Sequence, residues 1–508
     1  MNNNLQPSGH DPTDVAAANA NTTDPLYQRL WQRLAPFGQT HVLRWWHELN
    51  TDQRVELAAQ IEALDLDTLQ RLLQEPIEAQ RTTLDWNQVC CPRVLRPAST
   101  LEEWQRQRRA FAVGEDALRS GRVALCLVAG GQGSRLGHDG PKGTFPIGPI
   151  TQRSLFQLHA QKILALSRRY QVPLRWYIMT SPDNDAATRE FFIQHNYFGL
   201  SADQVKFFVQ GTMPAVDKDT GKLLMRTKWQ LALCPDGHGG FLTALRTEGI
   251  LDELQQLGVQ WLFYFQVDNP LVKVGDPLFL GQHITSGAEI SLKVVRRRHA
   301  YEPLGQVVCY QGSHYLVEYT EIPPEWQERR DSSGNFLLNA GNIAVHIFDL
   351  AFLQRATEHV RALPYHRAIK KVPFIDSDGE YRDPYEANAL KWERFVFDVL
   401  PWAQRVLVVE IERAEEFEPL KNASGEHSPE TVRAALCELY ARWLEQAGLR
   451  VPRDSSGRVT VAIEISPLVA LDAADLRDQV EHLHELHGPL LLEEPLNKSP
   501  ATSSDSLS

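Results

Sequence analysis

The sequence predicts an α/β sandwich built on a mostly parallel sheet, and three observations carry that reading. From Gly121 onward, short apolar runs alternate with amphipathic stretches at helical spacing, the pattern of strands joined by crossover helices. The densest run, Trp261–Val267 (WLFYFQV), has no polar face and reads as a buried strand. Two runs end in functional-looking loops: Val123–Ala129 leads into Gly130, and Trp261–Val267 into Asp268. Ligands of open α/β sheets sit beyond the carboxyl ends of strands. Gly130 and Asp268 are therefore expected at one edge.

Taken in order, Met1 to Asp24 is rich in Asn, Asp, Thr and Ala, and a disordered tail is expected over 1–24. Helical spacing begins at Leu26, Leu30 and Leu34, and continues through Val42, Trp45, Trp46, Val55, Leu57, Ile61 and Leu64. Asn50-Thr51-Asp52 reads as a helix start. A helical N-terminal domain is expected over 25–120, with no cluster that suggests chemistry. A central domain over 121–400 should carry strands at Val123–Ala129, Leu174–Thr180, Val205–Val209, Trp261–Val267, Ile290–Val295, Gln306–Cys309 and Ile343–Ile347. Its helices are expected at Ser154–Arg169, Ala186–Gln194, Phe241–Gln256 and Ala351–Val360. A strand at Val406–Ile411, a helix at Pro429–Gln446 and further short strands suggest a small α+β domain over 401–496. The Ser-rich end, 497–508, is expected to be loose. No internal repeat is visible.

Composition narrows the partners. The 508 residues suffice for two or three domains. A net charge of −12 and the absence of any Lys/Arg run argue against nucleic acid. That field also repels anionic substrates, so a phosphate site must be built from local cations and a metal. The six cysteines are scattered without zinc-ligand spacing, and fit reduced thiols in the cytoplasm. Met1–Asp24 lacks the apolar core of a signal peptide. No apolar run approaches the roughly 20 residues of a membrane span, so no membrane partner is expected.

The most informative stretch is RVALCLVAGGQGSRLGHDGPKGTFPIG, Arg122 to Gly148. A buried strand feeds Gly130, Gly131, Gln132 and Gly133, followed by Arg135 and Lys142. Glycines and two cations after a strand equip a loop to cradle a polyphosphate. A Walker A loop is excluded, because Pro141 precedes Lys142 and Gly143 follows it. A dinucleotide fingerprint is excluded too, because Gly131, Gly133 and Gly137 carry one residue too many. Gly140 and Pro141 also discourage a long helix directly after the loop.

Other constellations are weaker alone. Asp268, at a strand end, is placed for a Mg²⁺ ligand or a simple strand cap. Cys234-Pro235-Asp236-Gly237-His238-Gly239-Gly240 allows close backbone approach to a ligand, or is a plain turn before a helix. Asn339-Ala340-Gly341-Asn342 offers two amides to sugar hydroxyls, or forms an Asx turn. Lys391 and Lys421 read by themselves as solvated lysines.

Together the blocks resemble the eukaryotic-type UDP-N-acetylglucosamine pyrophosphorylases, within the wider UDP-sugar pyrophosphorylase family. The blocks are LVAGGQGSRLG, GPKG, FFVQGTMPAV, CPDGHGG, VDNPLV, EPLG, VEYTEI, NAGNI, KKVPF, LKWERFVFDV and PLKNA, in family order from Leu125 to Ala423. The resemblance implies a Rossmann-like nucleotidyltransferase domain of GT-A-like type. It implies a uridylyltransferase reaction: UTP and a sugar 1-phosphate, N-acetylglucosamine 1-phosphate first, give a UDP-sugar and pyrophosphate with Mg²⁺. By carry-over, Gly130, Gly131, Gln132 and Gly133 hold the nucleotide, while Arg135 and Lys142 bind its phosphates. Gln210 and Gly237 recognise uracil, and Asp268 binds Mg²⁺. His238, Gly305, Glu318, Tyr319 and Asn342 line the sugar pocket. Lys391 and Lys421 reach the phosphates from the far side. A monomer or weak homodimer is expected.

The sequence departs from the family pattern in places. Ser134 stands for threonine, His238 for the asparagine of PDGNGG, and Trp392 and Arg394 for the methionine and second lysine of KMEKF. The change at 238 leaves the sugar open, with glucose 1-phosphate or a broad range as the alternative. A glycosyltransferase consuming UDP-sugars would more commonly show Asp-x-Asp where this chain has Asp268-Asn269-Pro270. An inactive binding homologue would have no use for the full set of cations.

Overall fold

The computed structural model describes residues 24–75, 84–477, 479–480 and 484–493. The tail expected at 497–508, and all of that at 1–24 except Asp24, lie outside the described residues. The chain forms two compact units, each assembled from segments distant in sequence. The smaller comprises Met1–Thr83, Gly211–Gly240 and Ala362–Val396, and the larger Leu84–Gln210, Phe241–Arg361 and Phe397–Ser508.

The larger unit is organised on a ten-stranded sheet. In chain order its strands are β1 (Val94–Leu95), β2 (Val123–Val128), β3 (Trp176–Thr180), β4 (Val205–Val209), β5 (Trp261–Gln266), β6 (Ile290–Val295), β7 (Gln306–Tyr310), β8 (Ser313–Val317), β9 (Gly341–Asp349) and β10 (Val406–Glu410). The main path runs β1-β10-β6-β9-β5-β2-β3-β4. Every neighbouring pair on it is parallel except the two that flank β9. Residues of β2 and β5 are buried on both faces apart from their last positions, which explains their unbroken apolar runs. The β5–β2 register pairs Gln266 with Val128. Gly130 and Asp268 therefore leave the sheet at the same edge, as expected. Because β9 runs the other way, its first residues, Gly341 and Asn342, also lie at that edge.

The expected helices form with small shifts: Leu155–Tyr170, Asp185–Gln194, Leu350–Glu358 and Pro429–Gln446. The stretch expected as one helix over Phe241–Gln256 is two, Gly240–Thr247 and Ile250–Gln256. Gly249, at φ +67°, separates them, a left-handed conformation that ends a helix cheaply only at glycine. Two helices escaped the periodicity argument, Leu101–Arg119 and Pro277–Ser286. They meet at glycines. A Cβ on Gly281 would stand 1.6 Å from the Ala110 carbonyl oxygen, and one on Gly114 would stand 1.8 Å from that of Pro277. Gly281→Ala is expected to destabilise the fold by about 3 kcal/mol or more, because backbone on the facing helix cannot yield as a side chain can. Urea unfolding checks this, and an unchanged midpoint refutes it.

Residues after Phe397 also join the larger unit. Ser428 caps the helix Pro429–Gln446 by accepting from the Thr431 N–H. That helix buries Val432, Leu436 and Leu444 in the same apolar cluster as Leu125 and Phe263 of the sheet.

The smaller unit holds the N-terminal helices. Asp24 caps Pro25–Leu34 and also accepts from the Trp46 indole at 2.9 Å. Asn50 and Gln53 form a reciprocal capping box at the start of Thr51–Ala63. The apolar faces of these helices share a core with Val216, Leu223, Met225, Leu231, Leu390 and Trp392. Those later residues sit on or beside a small sheet in the order His366–Lys370, Ala389–Glu393, Val216–Asp217. Among the described residues no helix is long and apolar enough to cross a membrane.

Candidate active site

In the larger unit the glycine-rich loop closes on itself immediately after β2. Gly133 N–H donates to the Gly140 carbonyl at 2.9 Å, and Lys142 N–H to that of Gly131 at 3.1 Å. Two short 3₁₀ turns, Ser134–Leu136 and Lys142–Thr144, replace a long helix, as Gly140 and Pro141 require. Asn184 locks the entry to the loop, donating to the Ala129 carbonyl at 2.9 Å and the Gly131 carbonyl at 3.3 Å. The Gln132 side chain is spent on the Asp183 carbonyl, at 3.1 Å. Gly130 faces Gln210: a Cβ there would come within 2.9 Å of the Gln210 Nε2. Glycine at 130 thus leaves room for the buried Gln210 amide beside the loop.

The cations divide into a fixed one and a free one. Lys142 Nζ lies 3.9 Å from an Asp268 carboxylate oxygen, with both side chains under one-fifth exposed. It also donates to the Leu420 carbonyl at 3.2 Å. Leu420 N–H in turn donates to the Asp268 carbonyl at 2.8 Å. This ring of contacts brings Lys142, Asp268 and the backbone beside Lys421 together across nearly three hundred residues of sequence. Arg135 is exposed and has no ion pair or hydrogen bond among the described residues. A guanidinium left in water beside a glycine loop is available to a phosphate.

Further along the same edge, Asn342 N–H donates to the Gly305 carbonyl at 2.9 Å, and a Cβ on Gly305 would stand 3.5 Å from Glu318 Oε1. Gly305, Glu318 and Asn342 are thus gathered, while neighbouring Tyr319 is 40% exposed. The Asn342 side chain accepts from the Ala344 N–H at 3.2 Å, so the Asx turn also forms. Its amide nitrogen keeps its donors.

The second glycine turn belongs to the smaller unit and is built against residues 394–396. Gly239 N–H donates to the Arg394 carbonyl at 2.7 Å, and Arg394 N–H to that of Asp236 at 2.8 Å. Gly237, at φ +84°, leaves no space for a side chain, since a Cβ would meet the Arg394 carbonyl oxygen at 2.5 Å. His238 Nδ1 accepts from the Val396 N–H at 3.1 Å, which places the ring proton on Nε2. The ring stacks on Phe395 at 5.1 Å, and Phe395 stacks on His366 at 4.3 Å. Burial, and secondarily the His366 charge, push the His238 pKa down to about 4. His238 is therefore a neutral Nε2–H donor around neutral pH. Lys391 sits in the same unit on the strand Ala389–Glu393, paired with Ala368.

Both departures in LKWERF have structural reasons. Trp392 is fully buried in the helical core. Arg394 donates to the buried Asp236 carboxylate at 2.8 Å. Desolvation raises the Asp236 pKa, against the pull of Arg394. Removing Arg394 leaves that carboxyl group buried without its partner. Arg394→Met is expected to cost about 3–5 kcal/mol of stability, read as a lowered urea midpoint. A midpoint equal to wild type refutes it. Asn184 and His366 carried no sequence signal, since an isolated polar residue looks alike whether it anchors a loop or faces water, and the pairing of Asp236 with Arg394 joins two segments 158 residues apart.

A profile of the family described as UTP–glucose-1-phosphate uridylyltransferase matches residues 66–463. The chain belongs to this family. UDP-N-acetylhexosamine pyrophosphorylase-like protein 1 of Homo sapiens is 36% identical over 498 residues, covering 92% of this chain and 97% of that one. UDP-N-acetylglucosamine pyrophosphorylase of Saccharomyces cerevisiae is 36% identical over 429 residues, covering 81% and 90%. The crystal structure of uridine diphosphate N-acetylglucosamine pyrophosphorylase from Trypanosoma brucei, solved with an inhibitor, superposes with a TM-score of 0.79 at 28% identity, covering 93% and 99%. Membership in the UDP-sugar pyrophosphorylase family is as the motif order implied.

Proposed function

We propose that the protein is a uridylyltransferase that makes UDP-N-acetylglucosamine and pyrophosphate from UTP and N-acetylglucosamine 1-phosphate. The observation that carries this reading is the meeting of Lys142 and Asp268, 3.9 Å apart, at the strand edge where the glycine loop begins. The relatives of similar length bear N-acetylhexosamine and N-acetylglucosamine names.

The chemistry follows from charge. A phosphate oxygen of the sugar phosphate attacks the UTP α-phosphorus in line, and pyrophosphate leaves. The nucleophile is already an anion, so no general base is needed. Two unit charges about 4 Å apart repel by roughly 4 kcal/mol at an effective dielectric near 20, and several such pairs must approach. Positioning and charge cancellation therefore dominate. Gly130, Gly131, Gln132 and Gly133 supply backbone close to the nucleotide. Gln210 and Gly237 read uracil. Arg135 and Lys142 neutralise the triphosphate, and Lys391 and Lys421 steer the sugar phosphate. Gly305, Glu318, Tyr319 and Asn342 face sugar hydroxyls, and the neutral His238 offers one hydrogen-bond donor.

Mg²⁺ is part of the proposal. Among the described residues no group of three or more His, Cys, Asp or Glu side chains could hold a metal alone. A lone carboxylate fits Mg²⁺, which commonly takes one or two carboxylates and completes its shell with phosphates and water. Asp268 would hold it, and the ion would supply positive charge to the triphosphate.

Pyrophosphate release from UTP and Mg²⁺ with a panel of sugar 1-phosphates tests the reading. Release is expected fastest with N-acetylglucosamine 1-phosphate. Release with none of the panel rejects uridylyl transfer, and preference for glucose 1-phosphate rejects the sugar.

A further inference from the structure

A cavity of about 1000 Å³ in the larger unit runs from the edge strand β1 to Asn339 and Ala340, just ahead of β9. Four strands separate β1 from β2, which carries the glycine loop. At the usual strand spacing that is about 24 Å. Five arginines line the cavity: Arg93, Arg96, Arg106, Arg296 and Arg405. Three carboxylates, Glu103, Asp331 and Glu410, line it too.

The carboxylates are already occupied. Glu103 accepts from the Ser99 and Thr100 N–H groups at 2.9 and 3.1 Å, in a helix capping box. Asp331 accepts from Ser333 N–H at 2.8 Å and Asn335 N–H at 3.0 Å. Glu410 serves two cations at once, Arg296 at 2.9 Å and Arg96 at 3.7 Å. Arg405 donates to the Ser286 carbonyl at 2.7 Å. Neither Arg405 nor Arg93 has a carboxylate partner among the described residues. The lining thus keeps surplus positive charge in a chain of net charge −12.

One uncharged polar group of the lining is also open to a ligand. Gln282 lines the cavity and is 8% exposed, yet its amide has no hydrogen-bond partner among the described residues. Its amide atoms are not themselves sealed from solvent, so they are open to a molecule in the cavity. We propose that this cavity is a second anion site, which binds a small molecule carrying a chain of two or more phosphates. Guanidinium forks match phosphate oxygens in pairs, and the Gln282 amide would bond a further oxygen. The volume suffices for a whole nucleotide.

The test is calorimetric titration of the full chain in EDTA, with saturating UMP present, which occupies the nucleotide site but carries a single phosphate. The probes are inorganic tripolyphosphate and ATP. Tripolyphosphate is expected to bind once per chain, and to bind Lys142→Ala equally well. Arg93→Glu should weaken it about tenfold, the loss of one charge-assisted contact, and Arg93→Glu with Arg405→Glu should weaken it further. Both arginines are exposed, so the fold is not at stake. Tighter binding of ATP would identify a nucleotide as the occupant, whereas equal binding would identify the phosphate chain alone. No binding in the presence of UMP, indifference to Arg93→Glu, or loss in Lys142→Ala would each overturn the proposal.

Discussion

Lys142→Ala is expected to lower kcat by about 10²–10³-fold, while KM for UTP changes only a few-fold. Lys142 does not wave in solvent. Pro141 precedes it, its own N–H is bonded to Gly131, and its ammonium is held by the Leu420 carbonyl and faces Asp268. A cation fixed in advance pays no reorganisation when charge develops. Charge on the bridging oxygen and the departing pyrophosphate grows toward the transition state, so the loss falls mainly on kcat rather than on ground-state binding. Lys142→Arg should recover little, because a planar fork cannot replace a point charge within that ring of contacts. Steady-state kinetics over UTP concentration, with a thermal melt as the folding control, makes the measurement. An unchanged kcat in a folded variant would remove Lys142 from the reaction.

What the sequence disclosed depended on range. Buried strands wrote themselves as apolar runs, and the register of β2 with β5 then placed Gly130 and Asp268 at one edge. Local caps such as Asn50 were also legible, because a cap needs only its own turn. The helices Leu101–Arg119 and Pro277–Ser286 were not. They are fixed by backbone-to-backbone approach at Gly114 and Gly281, and a glycine does not advertise its partner. The small sheet around Trp392 was hidden for a like reason, since residues 216 and 390 become neighbours only after folding. Within the candidate site, the motif blocks pointed to Lys142, Asp268 and Asn342. Neither Leu420, which ties the first two together, nor the His366–Phe395–His238 stack has a local signature. The roles at 238 and 394 turn on such contacts. Asparagine or histidine at 238 looks like a simple polar exchange until the Val396 N–H is seen to fix the tautomer.

Asp268→Asn should abolish Mg²⁺-dependent turnover, and its binding behaviour separates a metal ligand from a structural cap. Asp268 follows β5, its carbonyl is held by the Leu420 N–H, and asparagine has nearly the same shape, so the backbone should stay in place. The carboxylate is largely buried and its cation partner among the described residues, Lys142, stands 3.9 Å away, so in the absence of metal it is an anion only partly compensated near the expected triphosphate. Removing one such charge about 4 Å from another relieves up to roughly 4 kcal/mol at an effective dielectric near 20, less where water screens it. In EDTA the variant is therefore expected to bind UTP more tightly than wild type. With Mg²⁺ present the order should reverse, since amide oxygen is a weaker partner for a hard cation than carboxylate. A strand cap would show neither the gain in EDTA nor the reversal. Calorimetric titration with UTP at zero and saturating Mg²⁺, beside turnover as a function of Mg²⁺, distinguishes the two. Turnover that survives at ordinary Mg²⁺ would mean that Asp268 does not hold the ion.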